Sequence, residues 1–225
     1  TKTYEGITLN PMYTAEDTGG LRAARTYPGS YSLRGNEASG NLKRAWEIVQ
    51  FCDETLPQEA HGSLAHELER GATSVAFRLD PRTEAGLDAD APGTDGAGVS
   101  LSTLDDVEAL LKGLLDRPLA IYAGASAAPL LGFVDALAKK EGVAPRTLAG
   151  CVGADPMGYL LETGGLPAPL DRLWDEMAET IRWVEAAGSP LRTVLIRGSV
   201  PHDGGADAAQ EAACAMTAAI ETLRA

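Results

Sequence analysis

The sequence predicts an α/β fold of the (β/α) TIM-type barrel class, with about five of the eight βα units of a complete barrel. From Trp46 onward, short apolar runs alternate with segments of helical period, which is the pattern of a parallel sheet joined by crossover helices. A complete barrel takes about 250 residues, so residues 46–225 have room for only part of one. A doubly wound sheet would show the same alternation, and periodicity alone does not separate the two.

Five apolar runs are the predicted strands. They have the length of buried strands and are bounded by turn residues or helical segments. In chain order they are WEIVQFC (46–52), SVAFRL (74–79), PLAIYAG (118–124), TLAGCVG (147–153) and RTVLIRGSV (192–200). If they form an arc of a barrel, we expect them to be parallel and to be neighbours in sequence order.

The helices between these strands are predicted from apolar stripes and from capping residues. Ser102 and Asp105 form a variant of the capping box ahead of one stripe. Asp207 and Gln210 have the same relation ahead of the last helix. Glycine is the favoured residue just after a helix. Three helices are therefore expected to end at glycines, namely Gly71, Gly142 and Gly188.

Two segments lack periodicity. Residues 80–100 are rich in Gly and Asp, and their DADAPG resembles a calcium loop only superficially, because Pro92 stands where a ligand is needed. A flexible surface loop is expected there. Residues 1–45 are predicted to be an extended N-terminal arm, followed by a partial barrel domain over residues 46–225. The arm is locally basic, since between Leu21 and Trp46 one acidic residue, Glu37, stands against Arg22, Arg25, Arg34, Lys43 and Arg44.

Composition restricts the classes of partner. The net charge of −13 would repel nucleic acid and an anionic membrane surface, so neither is expected as the main partner. No apolar run reaches the length of about 18 residues that crosses a membrane, and TKTYEGITLNPMY lacks the apolar core of a signal peptide. A cytoplasmic location is therefore expected.

Metal and nucleotide motifs are missing from the sequence. Its cysteines, Cys52, Cys151 and Cys214, are far apart and predicted to be buried structural thiols. Its histidines, His61, His66 and His202, form no HExxH pair, so no metal site is expected. The glycine signatures of dinucleotide, P-loop and α/β-hydrolase sites do not occur.

The residues alone place the best candidate site in the loops that follow the strands, where barrel enzymes carry their catalytic groups. Its candidate members are Asp80, Asp155, His202 and Asp203. Asp155 precedes Pro156, so a turn-forming role also explains it. His202 follows the last strand, in the position of an acid-base residue.

Four stretches resemble successive landmarks of the methylmalonyl-CoA mutase family. They are YEGITLNPMYTAED (4–17), TYPGSYSLRG (26–35), LERGATSVAFRLD (68–80) and HDGGADAAQEAA (202–213). The resemblance follows the family order over nearly the whole chain. It implies a β/α barrel whose central channel takes an acyl-CoA, a separate cobalamin-binding domain, adenosylcobalamin as the cofactor of the assembly, and a radical rearrangement of the acyl skeleton.

Departures from the catalytic pattern indicate the small, non-catalytic subunit of that family. Val200 occupies the slot of the catalytic histidine, and His202 lies two positions later. Gly153 stands in place of a glutamine that contacts the substrate. Neither valine nor glycine has a side chain that donates a hydrogen bond to a thioester carbonyl. No catalytic residue is therefore predicted, and His202 is interpreted as a structural or interface residue.

The resemblance implies a domain that stabilises a catalytic large subunit in a heterodimer. The cobalamin motif D-x-H-x-x-G is absent from the sequence, so we expect either that this chain is one part of a longer polypeptide or that another component binds the cofactor. One alternative is an acyl-CoA-binding domain that itself supports isomerisation, with Tyr31 and Arg34 as CoA contacts. Another is an unrelated β/α-barrel lyase that uses Asp155, His202 and Asp203.

Overall fold

The computed structural model describes residues 1–21, 46–92 and 96–225. The chain forms two compact units, Thr1–Glu47 and Ile48–Ala225. The sequence places the corresponding boundary between residues 45 and 46. The basic cluster of the predicted arm, together with Tyr31 and Arg34, lies outside the described residues.

The described residues of the first unit contain one antiparallel bridge and one short helix. An antiparallel bridge joins Lys2 to Thr8, and the turn between them contains Gly6 at φ 81°. Helix α1 (Ala15–Thr18) begins after Thr14, whose side chain and backbone exchange hydrogen bonds with the first turn in a capping box. These features join residues that are close in sequence.

The second unit contains a five-stranded parallel sheet whose strands follow one another in chain order. The strands are β1 (Phe51–Cys52), β2 (Val75–Phe77), β3 (Leu119–Gly124), β4 (Gly150–Ala154) and β5 (Arg192–Val194). This confirms the predicted α/β class, the parallel pairing and the sequential order. It excludes a doubly wound order and is consistent with an arc of a barrel.

The observed strands are shorter than the predicted ones. Residues 46–50 lie outside β1, and Trp46, Ile48 and Val49 are exposed. Thr147 belongs to a short 3-10 helix before β4, and Ser199 already begins a helix after β5. An apolar run identifies a strand only where the side chains are buried, so composition alone predicted strands that were too long.

Helices connect the strands and follow the last one. They are α2 (Pro57–Glu69), α3 (Pro81–Glu84), α4 (Leu104–Leu111), α5 (Ala127–Glu141), α6 (Pro156–Thr163), α7 (Leu170–Ala187), α8 (Ser199–Asp203) and α9 (Ala208–Arg224). Gly142 and Gly188 cap α5 and α7 in the left-handed conformation, as predicted. Gly71 follows the cap residue Arg70 of α2 at φ 113°, and the N–H groups of Gly71 and Ala72 donate to the carbonyls of Leu68 and Glu67, so this helix also ends at its predicted glycine. Within the described ranges, no helix combines the length and the apolarity that crossing a membrane requires.

The cap of α4 lies one residue later than the sequence predicted. Thr103, rather than Ser102, accepts a hydrogen bond from the third helical residue, Asp106. The Asp106 carboxylate accepts from the backbone N–H groups of Ser102 and Thr103 at 3.0 and 2.9 Å. The Ser102 hydroxyl instead accepts from the N–H of Ala89, at 2.9 Å. At α9 the predicted box of Asp207 and Gln210 is confirmed.

The segment 80–100 is more ordered than the predicted surface loop. Asp80 caps α3, and Leu79 forms a parallel bridge with Val99. Val99 and Leu101 are buried in the core. The Gly and Asp content correctly indicates turns, but the two ends of the segment pack against the sheet, so the prediction of a flexible surface loop over the whole segment was wrong.

The two faces of the sheet differ in side-chain size. The helix-covered face carries large buried side chains, whose positions on β3 are Leu119 and Ile121. Side chains alternate between the faces of a strand, so Ala120 points to the opposite face. Its register partners there are Ala76 and Cys151. That second face is therefore lined in its middle by small side chains.

Burial of the cysteines follows the prediction only in part. Cys52 is buried, and burial together with nearby carboxylates, Glu54 foremost, raises the pKa of its thiol to about 11. Cys151 is partly buried, and burial raises its pKa although Arg192 acts in the opposite direction. Cys214 is exposed on α9, so the prediction of a buried thiol was wrong at that position.

Gly150 is a position where only glycine fits. Its φ is 98°, and a Cβ would overlap the backbone of Leu119 on the neighbouring strand. We expect Gly150→Ala to lower the free energy of unfolding by about 2 to 5 kcal/mol, because backbone strain and overlap add. Gly164→Ala is the control, since Gly164 has φ 76° with open space around it and should cost about 1 to 2 kcal/mol. Equal losses of unfolding free energy for the two variants in urea titrations would contradict the close contact of Gly150 with the Leu119 backbone.

Candidate functional site

The carboxyl ends of the parallel strands place four charged side chains together. Asp155 directly follows β4 and caps α6, accepting a hydrogen bond from the N–H of Gly158 at 2.9 Å. Glu84 is the last residue of α3, which follows β2. Arg197 lies between β5 and α8, and Glu162 lies near the end of α6. Because loops after parallel strands meet at one edge of the sheet, residues distant in sequence become neighbours there.

Arg197 is the centre of this group, which we call the Arg197 cluster: Arg197, Glu84, Asp155 and Glu162. Its Nε donates to Asp155 Oδ2 at 3.1 Å, and its backbone N–H donates to the same oxygen at 3.1 Å. Its Nη1 donates to Glu162 Oε2 at 2.7 Å. Its Nη2 lies 3.5 Å from Glu84 Oε1 in an ion pair without hydrogen-bond geometry, so these two buried atoms have no hydrogen-bond partner.

Burial makes the Arg197 cluster energetically important. The side chain of Arg197 is 12% exposed and that of Asp155 is 2% exposed, whereas Glu162 is half exposed. One guanidinium faces three carboxylates, which gives a formal charge of −2 when all are ionised. A buried charge needs partners to offset the loss of hydration. Each member therefore depends on the others for its place in the fold.

The pKa values of Glu84, Arg197 and the neighbouring Tyr159 are all raised, from different causes. Burial raises the pKa of Glu84, the attraction of Arg197 opposes this shift, and Glu162 and Asp155 add to it. Burial would lower the pKa of Arg197, but Glu84, Glu162 and Asp155 outweigh it and raise that pKa. The pKa of the Tyr159 hydroxyl is also raised, by burial and then by Glu84 and Glu162. Glu84 is thus the carboxyl group of the cluster whose ionisation is penalised by its surroundings.

An open cavity of about 400 Å³ lies against the Arg197 cluster. Glu84, Glu162 and Arg197 form part of its wall, and Ser199 and Asp203 contribute from α8. Its remaining wall is aromatic, basic or apolar, from Phe51, Tyr122, Arg78, Leu79, Pro81 and Ala97. The volume is within the range of small-molecule sites. The carboxyl edge of the sheet therefore forms a concave and strongly charged surface.

The structure distributes the sequence-predicted candidates over different roles. Asp155 belongs to the Arg197 cluster, and Asp203 lines the cavity. Asp80 is buried as the cap of α3, accepting from the Thr83 N–H at 2.8 Å. His202 is exposed on α8, where its Nδ1 lies 3.0 Å from Glu211 Oε2 of α9. His202 thus pairs with Glu211 instead of joining Asp155.

Val200 and Gly153 are the two positions that the sequence analysis interprets as departures from the catalytic pattern. Val200 is half-buried in α8. Gly153 is buried in β4, and a Cβ at this position would overlap the side chain of Leu195. A larger residue at 153 is therefore excluded unless Leu195 moves. Tyr31 and Arg34, the predicted CoA contacts, lie outside the described residues.

Sequence reasoning missed Arg197, Glu84 and Glu162. Arg197 was included in the predicted strand 192–200, although an arginine in that apolar run, just before Gly198, signals the strand end. Glu84 and Glu162 have no local signal, because only the tertiary fold brings them to Arg197. Over residues 1–21, 46–92 and 96–225, no group of three or more His, Cys, Asp or Glu side chains has a geometry that could hold a metal ion.

Removing the charge of Arg197 should destabilise the fold strongly. We expect Arg197→Met to lower the free energy of unfolding by about 3 kcal/mol, because buried carboxylates lose their counter-charge. Arg182→Met is the matched control, since Arg182 pairs with Glu179 on the exposed face of α7 and should cost less than about 1 kcal/mol. Denaturant titration at neutral pH measures both, and similar small losses would contradict a structural role for the Arg197 cluster.

Replacing Glu84 with a neutral residue should increase the free energy of unfolding by an amount that depends on pH. The pKa of Glu84 is raised above its ordinary value of 4.5, so its contribution to stability is present below that pH and is lost as the pH rises through the folded-state pKa. Glu84→Gln cannot undergo this loss. Its stability relative to the native chain should therefore increase as the pH rises above about 4.5. Glu69→Gln, on the exposed end of α2, is the control. If the stability of Glu84→Gln relative to the native chain falls as the pH rises, the direction assigned to the Glu84 pKa shift is wrong.

Comparison with known proteins finds relatives over the whole chain. The chain is 27% identical to methylmalonyl-CoA mutase of Escherichia coli strain K12, with 100% of the chain and 32% of that protein covered. It is 29% identical to the methylmalonyl-CoA mutase small subunit of Streptomyces virginiae, with 98% of the chain and 32% of the relative covered. It is 26% identical to the methylmalonyl-CoA mutase large subunit from the same organism, with 100% of the chain and 32% of the relative covered. The chain thus spans about a third of the length of these relatives.

The match to a family profile is equally extended. The profile described as methylmalonyl-CoA mutase matches residues 2–225, which include the described part of the first unit and the entire parallel sheet. The resemblance carried by the four sequence stretches is confirmed by this match. The chain therefore belongs to the methylmalonyl-CoA mutase family.

Proposed function

We propose that this chain is a non-catalytic, small-subunit-like domain that stabilises a catalytic large subunit in a heterodimeric acyl-CoA mutase. The Arg197 cluster is the observation that carries the proposal. It occupies the carboxyl edge of the sheet, where a barrel enzyme keeps its reacting groups. Its arginine is already engaged by three carboxylates, so it is not available to a developing negative charge on a substrate.

The surroundings of Gly153 and Val200 support the same proposal. Both stand where the catalytic pattern has a polar side chain. Leu195 packs into the space that a side chain at residue 153 would need, and Val200 offers only methyl groups. His202 is held on the exposed side of α8 through the contact of its Nδ1 with Glu211. Gly153 and Val200 therefore offer no side-chain donor to a thioester carbonyl.

Cobalamin is the cofactor that the family generally uses. Binding through a histidine requires an imidazole nitrogen that is free to ligate. His61 Nδ1 contacts the carbonyl oxygen of Leu110 at 2.9 Å, and His202 Nδ1 contacts Glu211, so Nε2 is the nitrogen that each ring could offer to a ligand. None of the three histidines, His61, His66 and His202, lies in a D-x-H-x-x-G sequence. We therefore assign cobalamin binding to a part of the assembly outside these residues.

One observation favours an alternative, in which the domain binds acyl-CoA and itself supports isomerisation. The second face of the sheet carries small side chains, Ala76, Ala120 and Cys151 among them, and such a face leaves room for a ligand. Tyr31 and Arg34 are the CoA contacts under this alternative. The lyase alternative has less support, because Asp155 pairs with Arg197 and His202 pairs with Glu211. A cytoplasmic location remains part of the main proposal.

Turnover and assembly test the proposal. The purified chain should show no mutase turnover with adenosylcobalamin and methylmalonyl-CoA, and it should form a stable complex with a catalytic large subunit from the same organism. The large subunit alone is the control for activity. Turnover by the chain alone would overturn the non-catalytic assignment, and failure to co-purify would overturn the assembly role.

Calorimetric titration with CoA separates the main proposal from its alternative. If the basic residues around Arg34 meet an acidic partner surface, the isolated chain should give no heat with CoA, and Arg34→Ala should weaken the complex with the large subunit. If they bind CoA, Arg34→Ala should weaken salt-sensitive CoA binding by about ten-fold or more, the effect of one charge-assisted contact to phosphate. The second result favours the acyl-CoA alternative.

A further inference from the structure

A cation stacked on an aromatic ring lies in the wall of the 400 Å³ cavity. Arg78 directly follows β2, and its guanidinium carbon is 6.0 Å from the centroid of the Phe51 ring. The Phe51 ring lies 5.2 Å from the Tyr122 ring, tilted by 51°. The backbone N–H of Arg78 donates to the carbonyl of Cys52 at 2.9 Å, which holds the residue beside β1. A guanidinium stacked in this way keeps its edge free for a planar anion.

The two arginines of the cavity differ in their charge balance. Arg197 is opposed by three carboxylates. Arg78 is exposed. Within residues 1–21, 46–92 and 96–225, no carboxylate lies within ion-pair distance of its guanidinium. An anion entering the cavity is therefore attracted by Arg78, because that positive charge is not already offset.

The rest of the wall limits what else the ligand can carry. Glu84, Glu162 and Asp203 would repel a second anionic group. Leu79, Pro81 and Ala97 provide apolar surface beside the rings of Phe51 and Tyr122. The complementary ligand has one negative charge at one end and an apolar, preferably flat, body at the other.

We propose that this cavity binds a small organic monocarboxylate, with its carboxylate on Arg78 and its apolar body against Phe51 and Tyr122. The site is independent of the proposed assembly role, since a domain without catalytic groups can still hold a ligand. Arg78 supplies two parallel N–H groups that match the geometry of a carboxylate. The acidic side of the cavity, formed by Glu84, Glu162 and Asp203, selects against dicarboxylates.

Three probes of similar shape test the charge requirement. Phenylacetate has one negative charge, phenylacetamide has none and phenylsuccinate has two. Each is titrated into the full isotopically labelled chain and followed by the backbone amide signals. Phenylacetate should bind saturably, at least about ten-fold more tightly than either other probe, the effect of one charge-assisted hydrogen bond. Shifts should concentrate at Arg78, Leu79, Tyr122 and Ser199. Equal affinity for the three probes, or no saturable shift, would overturn the proposal.

Substitution of Arg78 tests the assignment of the binding group. Arg78→Ala should weaken phenylacetate binding by about ten-fold or more, and Arg78→Lys should weaken it less, because lysine keeps the charge but loses the planar fork. Arg146→Ala is the matched control, since Arg146 is exposed in the short helix ahead of β4, at the opposite end of the sheet. Equal effects of the Arg78 and Arg146 substitutions would show non-specific charge attraction and overturn the site. Mutase turnover does not enter this test, so its failure leaves the assembly proposal intact.

Discussion

The buried guanidinium of Arg197 is the constraint on which the carboxyl edge of the sheet depends. A guanidinium does not lose its proton in a protein, so it must be matched by acceptors wherever it is buried. Asp155 supplies the strongest match and at the same time caps α6. The start of α6, the loop after β5 and the end of α3 are thereby held at fixed positions relative to one another. This arrangement requires glycine nearby, because a Cβ at Gly124 would overlap Glu84 and one at Gly158 would overlap Asp155.

The charge of the Arg197 cluster explains why the two sides of the cavity differ. Three carboxylates around one cation leave an excess of negative charge, and burial makes the ionisation of Glu84 unfavourable. The excess faces the cavity from α3, α6 and α8. In the wall of the same cavity, Arg78 is stacked on Phe51, and among the residues that the structure describes it has no carboxylate within ion-pair distance. A site with this polarity can accept one anionic group in one orientation, which is a property of ligand recognition and requires no catalytic residue.

The sequence predicts the order of the fold better than it predicts the site. Alternating apolar runs and helical stripes identify all five strands and their parallel order, because both signals are local and repeated. The predicted start of the first strand was wrong because Trp46 and Val49 are apolar but exposed, and the local sequence does not show that exposure. The cap of α4 was displaced by one residue because Ser102 and Thr103 are both capping residues and only the position of Asp106 decides between them. The site was predicted least well, since Glu84 and Arg197 are 113 residues apart (197 minus 84) and pair only after the sheet is assembled.

Gly153 shows that the departure from the catalytic pattern extends beyond single residues. Removal of a side chain from a buried position leaves a cavity that destabilises the fold unless neighbours fill it. At this position Leu195, from the segment after β5, occupies the space, and two residues later the same segment places Arg197 against Asp155. Residues in contact in this way have coupled effects on stability. A glutamine restored at residue 153 would displace Leu195 and disturb the segment that carries Arg197, so the arrangement around Gly153 is stabilised by packing and charge together.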